Sequence, residues 1–312
     1  MSEKYQSKLI AGTRGSDLAL AQANNTVNLL RAEWPDVEFV IKKMKTAGDR
    51  FSDAAIENIG VGVFTKEIEQ ELLREGIDLA IHSLKDLPTR QPEGLVLASV
   101  LKREDPRDAL VSKHGLKLSE LPEGAKIGTS SIRRKSQLLA YRPDLDIVPF
   151  RGNVPTRLRR LGVMPLDAIV LAAAGLKRLG MDDSITEYIE PDIMLPSPGQ
   201  GALALETRIR DNETIDIVRK LEDEQSRTEV LAERQLLELL GGGCQAPIGV
   251  LAEVREDAIS LRAVVASGDG KQVLRAQAQG QTGDWRGVTW KVAQELKKSG
   301  ASQILEETRS GS

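Results

Sequence analysis

Apolar and polar residues alternate with two different periods along the N-terminal third of the chain, so strands and helices are predicted to follow one another. The predicted strands cover residues 8–13, 37–44 and 78–82, and the predicted helices cover residues 17–33 and 64–74. The apolar residues of the first helix recur at helical spacing, at Leu18, Ala21, Val27 and Leu30. Ser16 is placed to cap its N-terminus. This order is typical of an α/β unit with a largely parallel sheet.

A second series with the same order begins at residue 126, and the C-terminal part then changes character. Predicted strands at 126–128, 147–150 and 166–172 alternate with predicted helices at 130–140, at 154–161 and around Leu176. Residues 191–201 are rich in Pro and Gly and are expected to cross between domains. A helix over 222–240 ends at three glycines, and strands over 248–254, 259–266 and 272–279 precede a helix over 287–298.

These patterns predict an α/β fold with two similar α/β domains around a cleft and a small C-terminal α+β domain, an antiparallel sheet with helices. The expected bounds are 1–101 with 202–220 for the first domain, 102–201 for the second and 221–312 for the third. Residues 46–62 combine Gly, Asp, Ser and Asn with little periodicity. A loop of that length in a compact domain is often a lid.

The composition argues against several classes of protein. No apolar run approaches the roughly 18 residues that a membrane helix needs, and the polar residues 1–8 lack the apolar segment of a secretory signal. The single cysteine cannot form an internal disulfide, and one cysteine with two histidines argues against a His/Cys metal site. We therefore expect a cytoplasmic protein without a metal, or a protein of the plastid stroma if a transit peptide was removed.

The net charge of −3 conceals a basic segment between residues 126 and 160, which holds nine basic and two acidic residues. The basic residues are Lys126, Arg133, Arg134, Lys135, Arg142, Arg151, Arg157, Arg159 and Arg160. Such a local excess in an acidic protein indicates an anion site, and a solvated basic face is the plainer alternative. The acidic net charge and the aromatic content of 3% argue against binding of nucleic acid.

Three predicted strand-to-helix turns combine hydroxyl and arginine side chains. Their residues are Arg14 and Ser16 in the first turn, Thr129, Ser131, Arg133 and Arg134 in the second, and Arg151 and Arg157 in the third. Free N–H groups and the dipole at a helix N-terminus favour an anion, and a guanidinium can bind a carboxylate with two parallel hydrogen bonds. Simple Ser/Thr capping without a ligand is the alternative. Because ligands of open α/β sheets bind outside the carboxyl ends of the strands, the turns predict a cleft that binds several negative groups.

Two further residues stand where chemistry is often found. Asp86 follows a predicted strand, and its carboxylate can stabilise a cation that forms on a substrate or can move a proton. Pairing of Asp86 with a neighbouring Lys or Arg is an equally good explanation. Cys244 follows three glycines on a loop after a helix, which suits a reachable side chain, whereas a lone cysteine is usually a small buried hydrophobe.

Ten segments carry a family resemblance that spans nearly the whole chain. They are TRGSDLALAQ (13–22), KTAGD (45–49), FTKEIE (64–69), DLAIHSLKDLP (78–88), REDPRDA (103–109), IGTSSIRRKSQL (127–138), FRGNVPTRL (150–158), LDAIVLAAAGLKRL (166–179), PGQGALALE (198–206) and GGGCQAPIG (241–249). In this order the set resembles the porphobilinogen deaminase (hydroxymethylbilane synthase) family. Each segment alone is weakly specific, and the ordered set is highly specific.

The resemblance implies a three-domain protein whose first two domains are like those of periplasmic binding proteins, with the active-site cleft between them. It implies a transferase of tetrapyrrole (haem and chlorophyll) biosynthesis that joins four porphobilinogen units head to tail, releases ammonia at each addition and yields hydroxymethylbilane. It also implies a dipyrromethane cofactor that is bound to Cys244 by a thioether. Each pyrrole unit carries acetate and propionate groups, so the growing chain is a polyanion.

The resemblance also implies roles for individual residues, matched by motif. Asp86 matches the catalytic carboxylate. The cofactor contacts match Lys85, Asp86, Thr129, Ser131, Arg133, Arg134 and Cys244. The substrate contacts match Arg14, Ser16, Phe64, Arg151, Arg157, Arg178 and Gln200. One departure is Val61, between Gly60 and Gly62, where relatives commonly have lysine. This departure puts in doubt a contact between the lid and a substrate carboxylate, and we expect Val61→Lys to change substrate handling modestly.

Two other functions fit parts of the sequence. A two-domain, solute-binding-like module would bind an anion without reacting, and the fold alone does not exclude it. Such a passive module has no need for an accessible thiol at position 244. A phosphoryl-transfer enzyme could use the serine and arginine turn, but the sequence has no Walker-type Gly-Lys-Ser/Thr loop. We expect a monomer whose partner is the small molecule porphobilinogen, with no nucleic acid and no membrane partner.

Overall fold

The computed structural model describes residues 7–44, 65–243 and 246–310. The chain forms two compact units, Met1–Glu104 with Ala202–Arg227 and Asp105–Gly201 with Thr228–Ser312. We call them the first unit and the second unit. The division of the chain into three domains stays a prediction.

The first unit is built on a five-stranded mixed sheet. Its strands are β1 (Lys8–Arg14), β2 (Glu38–Met44), β3 (Leu79–Ser83), β4 (Leu95–Val100) and, from far along the chain, β10 (Leu203–Arg208). Their order across the sheet is β2-β1-β3-β10-β4. β1 pairs in parallel with β2 and β3, and β10 runs antiparallel to both β3 and β4. The predicted parallel sheet is therefore interrupted by one strand of opposite direction.

Among the described residues, three α-helices lie wholly in the first unit: α1 (Asp17–Glu33), α2 (Lys66–Leu73) and α6 (Asn212–Val218). The Oγ of Ser16 accepts a hydrogen bond from the N–H of Ala19 at 3.3 Å, so the predicted cap of α1 is confirmed. The buried face of α1 consists of Gln22, Ala23, Thr26, Val27 and Leu30. Leu18 and Ala21 are only partly buried, so the predicted apolar face was shifted. The buried face also makes a polar contact, in which the Oγ of Ser83 donates to Gln22 Oε1 at 3.1 Å.

The second unit contains a five-stranded sheet with the same pattern of strand directions. Its strands are β5 (Asp108–Ser112), β6 (Lys126–Gly128), β7 (Asp146–Val148), β8 (Ala168–Ala172) and β9 (Glu187–Ile189), in the order β7-β6-β8-β5-β9. The helices α3 (Ile132–Tyr141), α4 (Val154–Val163) and α5 (Ala173–Arg178) follow β6, β7 and β8. β6 pairs in parallel with β7 and β8, and β5 is antiparallel to β8 and β9.

The remainder of the second unit has an antiparallel three-stranded sheet. Its strands are β11 (Ile248–Arg255), β12 (Ala258–Ala266) and β13 (Val273–Gln281). The helices here are α7 (Glu224–Leu239, which starts in the first unit), α8 (Trp285–Lys298) and α9 (Ala301–Ser310). Their apolar faces and those of the strands form one buried cluster around residues such as Leu236, Val250 and Val292. The predicted fold class, mixed α/β followed by a small antiparallel α+β part, is confirmed.

Several elements are absent from the sequence prediction. They are β4, β5, β9, β10, α6 and α9. Among them, β9 has only three residues, and β10 buries Glu206 and Thr207, so its polar content hides its strand character. The strand predicted over residues 147–150 ends earlier, at Val148, and Phe150 is a buried turn residue. No helix among the described residues is long and apolar enough to cross a membrane.

Candidate functional site

One edge of the five-stranded sheet in the second unit collects two of the three predicted anion-binding turns, those that follow β6 and β7. The parallel strands β6, β7 and β8 end at this edge with Gly128, Val148 and Ala172. β5 is antiparallel to β8 and pairs its first residue, Asp108, with Ala172. A carboxylate at the start of β5 is therefore brought to the edge where the neighbouring strands end.

The turn from β6 to α3 holds Thr129 and Ser131 in one hydrogen-bonded arrangement. The Oγ1 of Thr129 accepts from the N–H of Ser131 at 3.2 Å, and the Oγ of Ser131 accepts from the N–H of Arg134 at 3.4 Å. The second bond makes Ser131 the N-cap of α3. Both bonds use the hydroxyl oxygens as acceptors, and a hydroxyl group also has one hydrogen to donate. Capping and anion binding are therefore compatible at this turn.

The turn from β7 to α4 lies directly beside the first one. The N–H of Phe150 donates to Ser130 Oγ at 3.0 Å, which joins the two turns. Gly152 has a φ of 125°, a backbone conformation that favours glycine. The Oδ1 of Asn153 then accepts from the N–H of Thr156 at 2.9 Å and caps α4.

The half-buried arginines of this second turn are held near the start of α4. Arg157 lies on the first turn of the helix, and Arg151 precedes it on the turn itself. The Nη1 of Arg160 donates to the carbonyl oxygen of Arg151 at 3.1 Å. The guanidinium of Arg160 also lies 5.0 Å from the ring centroid of Phe150.

Arg133 and Arg134 are buried, and both contact the fully buried carboxylate of Asp108. Arg133 Nη1 donates to Asp108 Oδ2 at 2.7 Å and to the carbonyl of Leu195 at 2.8 Å. Arg134 donates to Asp108 Oδ1 from Nε at 3.1 Å and from Nη2 at 2.8 Å, and to the carbonyl of Val170 from Nη1 at 2.9 Å. Asp108 was not predicted as a site residue. Its signals in the sequence were its place in the family segment REDPRDA (103–109) and a charge at the start of an apolar run.

The electrostatics of this cluster favour the ionised forms. Burial alone would raise the pKa of Asp108, but the charges of Arg133 and Arg134 outweigh it and hold that pKa well below its usual range. Burial lowers the pKa of Arg133, and the nearby Asp108 opposes that shift. One carboxylate therefore balances one of two buried guanidinium charges.

Gln200 and Arg178 are placed in the same unit. Gln200 is buried, and its Nε2 donates to Asp108 Oδ1 at 2.9 Å and to the carbonyl of Pro106 at 2.8 Å. Arg178, the last residue of α5, donates from Nη2 to the carbonyl of Gly201 at 2.6 Å. Gln200 thus joins the cluster of Arg133 and Arg134, whereas Arg178 contacts the backbone next to it.

The other candidate residues lie at one edge of the first unit's sheet. Arg14 ends β1, and Lys85 and Asp86 are in a short 3-10 helix (Leu84–Asp86) directly after β3. Since β1 and β3 are parallel neighbours, their carboxyl ends share an edge. Thr13 Oγ1 also donates to the carbonyl of Ile81 at 3.4 Å, which ties the two strand ends together. Lys85 and Asp86 are half-buried.

A buried polar cluster behind this edge was not predicted. His82, on β3, lies 3.1 Å from Glu206 Oε2 across the pair of β3 and β10. Both side chains are almost fully buried. Glu69 on α2 is also buried, and burial, with the negative charge of Glu206, raises its pKa. A polar residue inside a predicted strand does not by itself indicate a buried polar cluster, because the sequence does not show which residues will be its partners.

Cys244 and Phe64 lie outside the described residues, as do the predicted lid at 46–62 and Val61. The chain just before Cys244 is described. α7 ends at Leu239, and Gly241 has a φ of 66°, the left-handed conformation that commonly terminates a helix. The guanidinium of Arg309 donates to the carbonyl of Gly241. The backbone at Gly241, just after α7, is therefore held by this hydrogen bond.

Family models match most of the chain. The model described as "Porphobilinogen deaminase, dipyromethane cofactor binding domain" matches residues 9–216. The model described as "Porphobilinogen deaminase, C-terminal domain" matches residues 227–298.

Individual relatives and solved structures are also similar to this chain. The porphobilinogen deaminase of Desulforudis audaxviator is 49% identical over 305 residues, which are 97% of this chain and 99% of the relative. That of Deinococcus radiodurans is 48% identical over 303 residues, 96% of this chain and 98% of the relative. A crystal structure of the methionine-binding protein MetQ matches 73% of this chain and 94% of its own with 14% identity and a TM-score of 0.41. The two family models and the nearly full-length relatives show that this chain belongs to the porphobilinogen deaminase family of transferases, whose cofactor is dipyrromethane.

Proposed function

We propose that this chain joins four porphobilinogen units head to tail, with release of ammonia at each addition, to give hydroxymethylbilane. The observation that carries this proposal is the sheet edge of the second unit, where two hydrogen-bonded turns gather Thr129, Ser131, Arg133, Arg134 and Arg151. A growing chain with acetate and propionate groups on every pyrrole ring needs such a concentration of donors and positive charge.

The donor set at this edge fits a dipyrromethane with several carboxylates. In this proposal Cys244 holds the group by a thioether, and its carboxylates and rings contact Lys85, Asp86, Thr129, Ser131, Arg133 and Arg134. When bound, the dipyrromethane supplies a covalent tether for the growing chain. The N–H and O–H groups of α3 and its turn orient the carboxylates, because the helix N-terminus adds a favourable dipole.

The substrate contacts are assigned to a second set of residues. They are Arg14, Ser16, Phe64, Arg151, Arg157, Arg178 and Gln200. Arg14 and Ser16 frame the N-terminus of α1, and Arg157 lies on the first turn of α4, so these side chains have the positive environment of a helix start. Gln200 is also buried against Asp108, so besides its assigned substrate contact it helps to hold Asp108 beside the two buried arginines.

Asp86 is assigned the catalytic role. Loss of ammonia from the aminomethyl group of porphobilinogen leaves a positive charge on the substrate, and a nearby carboxylate stabilises that charge or accepts a proton. We expect Asp86→Asn to keep the fold and to lower turnover by about 100-fold or more, a loss typical of removing one stabilising group from a reacting centre. Asp17→Asn is the matched control, because Asp17 is an exposed carboxylate in the first turn of α1. Near-normal turnover of Asp86→Asn would refute this role.

The intact mass of the purified protein tests the cofactor assignment. The wild-type chain should carry an excess mass that corresponds to two linked pyrrole units, and Cys244→Ala should lack it. A wild-type chain that is active and carries no excess mass would contradict the proposal.

The oligomeric state and the location of the enzyme are further parts of the proposal. We propose a cytoplasmic monomer. Light scattering coupled to size-exclusion chromatography should give the mass of one chain over a tenfold range of protein concentration, and a concentration-dependent mass would contradict it.

A further inference from the structure

The carboxylate of Asp108 accepts four hydrogen bonds from side chains that the function needs. Its Oδ2 accepts from Arg133, and its Oδ1 accepts twice from Arg134 and once from Gln200, all within 2.7–3.1 Å. We propose that Asp108 is a positioning residue that orients the guanidinium groups of Arg133 and Arg134 toward the cofactor carboxylates. This inference rests on the proposed role of the two arginines in cofactor binding.

Burial makes the two arginines dependent on a counter-charge. Their side chains are only 6% and 8% exposed, and the side chain of Asp108 is fully buried. Two neighbouring buried cations without a carboxylate would each lose hydration and would repel one another. With Asp108 ionised, the cluster keeps a single net positive charge. That charge attracts an anionic ligand without the full cost of two uncompensated cations.

The hydrogen bonds also decide which donors remain for a ligand. A guanidinium has five N–H donors. Among the described residues, the bonds to Asp108 and Leu195 use two donors of Arg133, and those to Asp108 and Val170 use three donors of Arg134. The planar guanidinium is rigid, so fixing one side of it fixes the direction of the remaining N–H groups.

The neighbouring backbone holds the same arrangement from the other side. Gln137, one turn along α3 from Arg133, donates from Nε2 to the carbonyl of Leu195 at 3.0 Å, and its Oε1 accepts from the N–H of Leu195 at 2.8 Å. Leu195 is therefore a fixed acceptor for Arg133, and Asp108 is the charged partner that completes its orientation.

The test measures cofactor loading, as the fraction of each purified variant that carries the dipyrromethane mass. Asp108→Asn keeps the shape of the side chain and removes its charge, and we expect its loaded fraction to fall about tenfold, because a buried ion pair has lost one partner. Asp108→Glu should recover part of the loading. Asp144→Asn is the matched control, because Asp144 pairs with Arg142 just after the other end of α3, at 2.6 Å, and is only partly buried. That control should load fully.

A double-mutant cycle separates positioning from general destabilisation. Arg134→Gln combined with Asp108→Asn restores the single net charge of the cluster. If Asp108 acts through the arginines, Asp108→Asn should lower loading by a clearly smaller factor in the Arg134→Gln background than in the wild type, because only Arg133 then still depends on Asp108 and coupled residues give non-additive effects. Equal loss of loading in both backgrounds would overturn the inference. The cycle also applies if Asp108→Asn alone fails to fold, because recovery of folded protein in the double variant supports the coupling and continued failure opposes it.

The outcomes distinguish the inference from the proposed function. A wild-type chain without the dipyrromethane mass would refute the cofactor assignment itself. Loss of loading in Arg133→Gln and Arg134→Gln with full loading in Asp108→Asn would leave the proposed function intact and overturn the positioning role.

Discussion

At the scale of single residues, the same type of side chain has opposite pKa shifts in the two units. Asp108 is buried beside two arginines, and its pKa is held well below its usual range. Its stabilising interactions are therefore present above the unfolded value of 3.8 and are lost only as the pH falls through the lower folded value. Glu69 is buried beside Glu206, and burial raises its pKa. Burial favours a raised pKa for both carboxylates, and at Asp108 the charges of the two arginines outweigh it.

The raised pKa of Glu69 predicts a gain in stability for Glu69→Gln at neutral pH. The folded state holds the proton of Glu69 more tightly than the unfolded state, whose value is 4.5, so the wild type loses stability as the pH rises from 4.5 through the folded pKa. Gln removes this penalty. The free energy of unfolding by urea should therefore be higher for the variant at pH 7, and the difference should vanish as the pH falls below about 4.5.

The control for this prediction lies on the same helix. The hydrogen bond and charge of Lys42 lower the pKa of Glu71, so Glu71→Gln should lower stability at pH 7, and only slightly, because the pair is partly exposed. A variant Glu69→Gln that is less stable than the wild type at pH 7 would show that hydrogen bonds of the Glu69 carboxylate outweigh its desolvation.

At the scale of secondary-structure elements, the sequence predicted helix caps but did not predict the strands β5 and β10, which pair with strands distant in the chain. A hydroxyl or amide side chain at the start of an apolar periodic run predicts a cap by itself, as for Ser16 and Ser131. In contrast, β10 is positioned by pairing with β3, and β5 by pairing with β8, and both partners are distant in sequence. That pairing is what places Asp108 at the edge with the arginines and places Glu206 beside His82.

The cap of α4 predicts a separable effect on stability and on substrate binding. Asn153→Ala removes the acceptor for the N–H of Thr156 and should lower the free energy of unfolding by about 1 kcal/mol. Because Arg157 lies on the first turn of this helix, the KM for porphobilinogen should rise a few-fold while kcat changes less.

Asn153→Asp is the companion variant, since it keeps the cap but adds a negative charge at the anion-binding turn. It should retain wild-type stability and still raise KM. If Asn153→Ala loses stability with an unchanged KM, the start of α4 does not contribute to substrate binding.

At the scale of the whole molecule, a chain with a net charge of −3 must attract an anionic substrate through a local concentration of positive charge. The basic segment over residues 126–160 supplies that charge, and ion pairs in the folded structure neutralise part of it. Lys126 pairs with Asp146 at 3.6 Å, Arg142 pairs with Asp144, and Asp108 joins from outside the segment. The positive charge available to a ligand is therefore smaller than a count of the sequence suggests.

This distribution of charge predicts a salt dependence of substrate binding. Raising the ionic strength from about 0.05 M to 0.5 M shortens the screening length severalfold, so the KM for porphobilinogen should rise a few-fold with little change in kcat. Sodium sulfate at equal ionic strength should raise KM more than sodium chloride, because the divalent anion also competes for the turns. A KM that is independent of salt would show that the basic segment does not attract substrate.

The sequence by itself determined the local structure of this protein and, through its ordered motifs, the family. Periodicity identified β1, α1, β2, α3 and the elements of the antiparallel sheet, because these rest on contacts between residues close in sequence. Only the tertiary structure decided which charges meet. The contact of Asp108 with Arg133, Arg134 and Gln200 spans up to 92 residues, and the contact of His82 with Glu206 spans 124. Such pairs depend on strand order and direction, which local patterns do not encode.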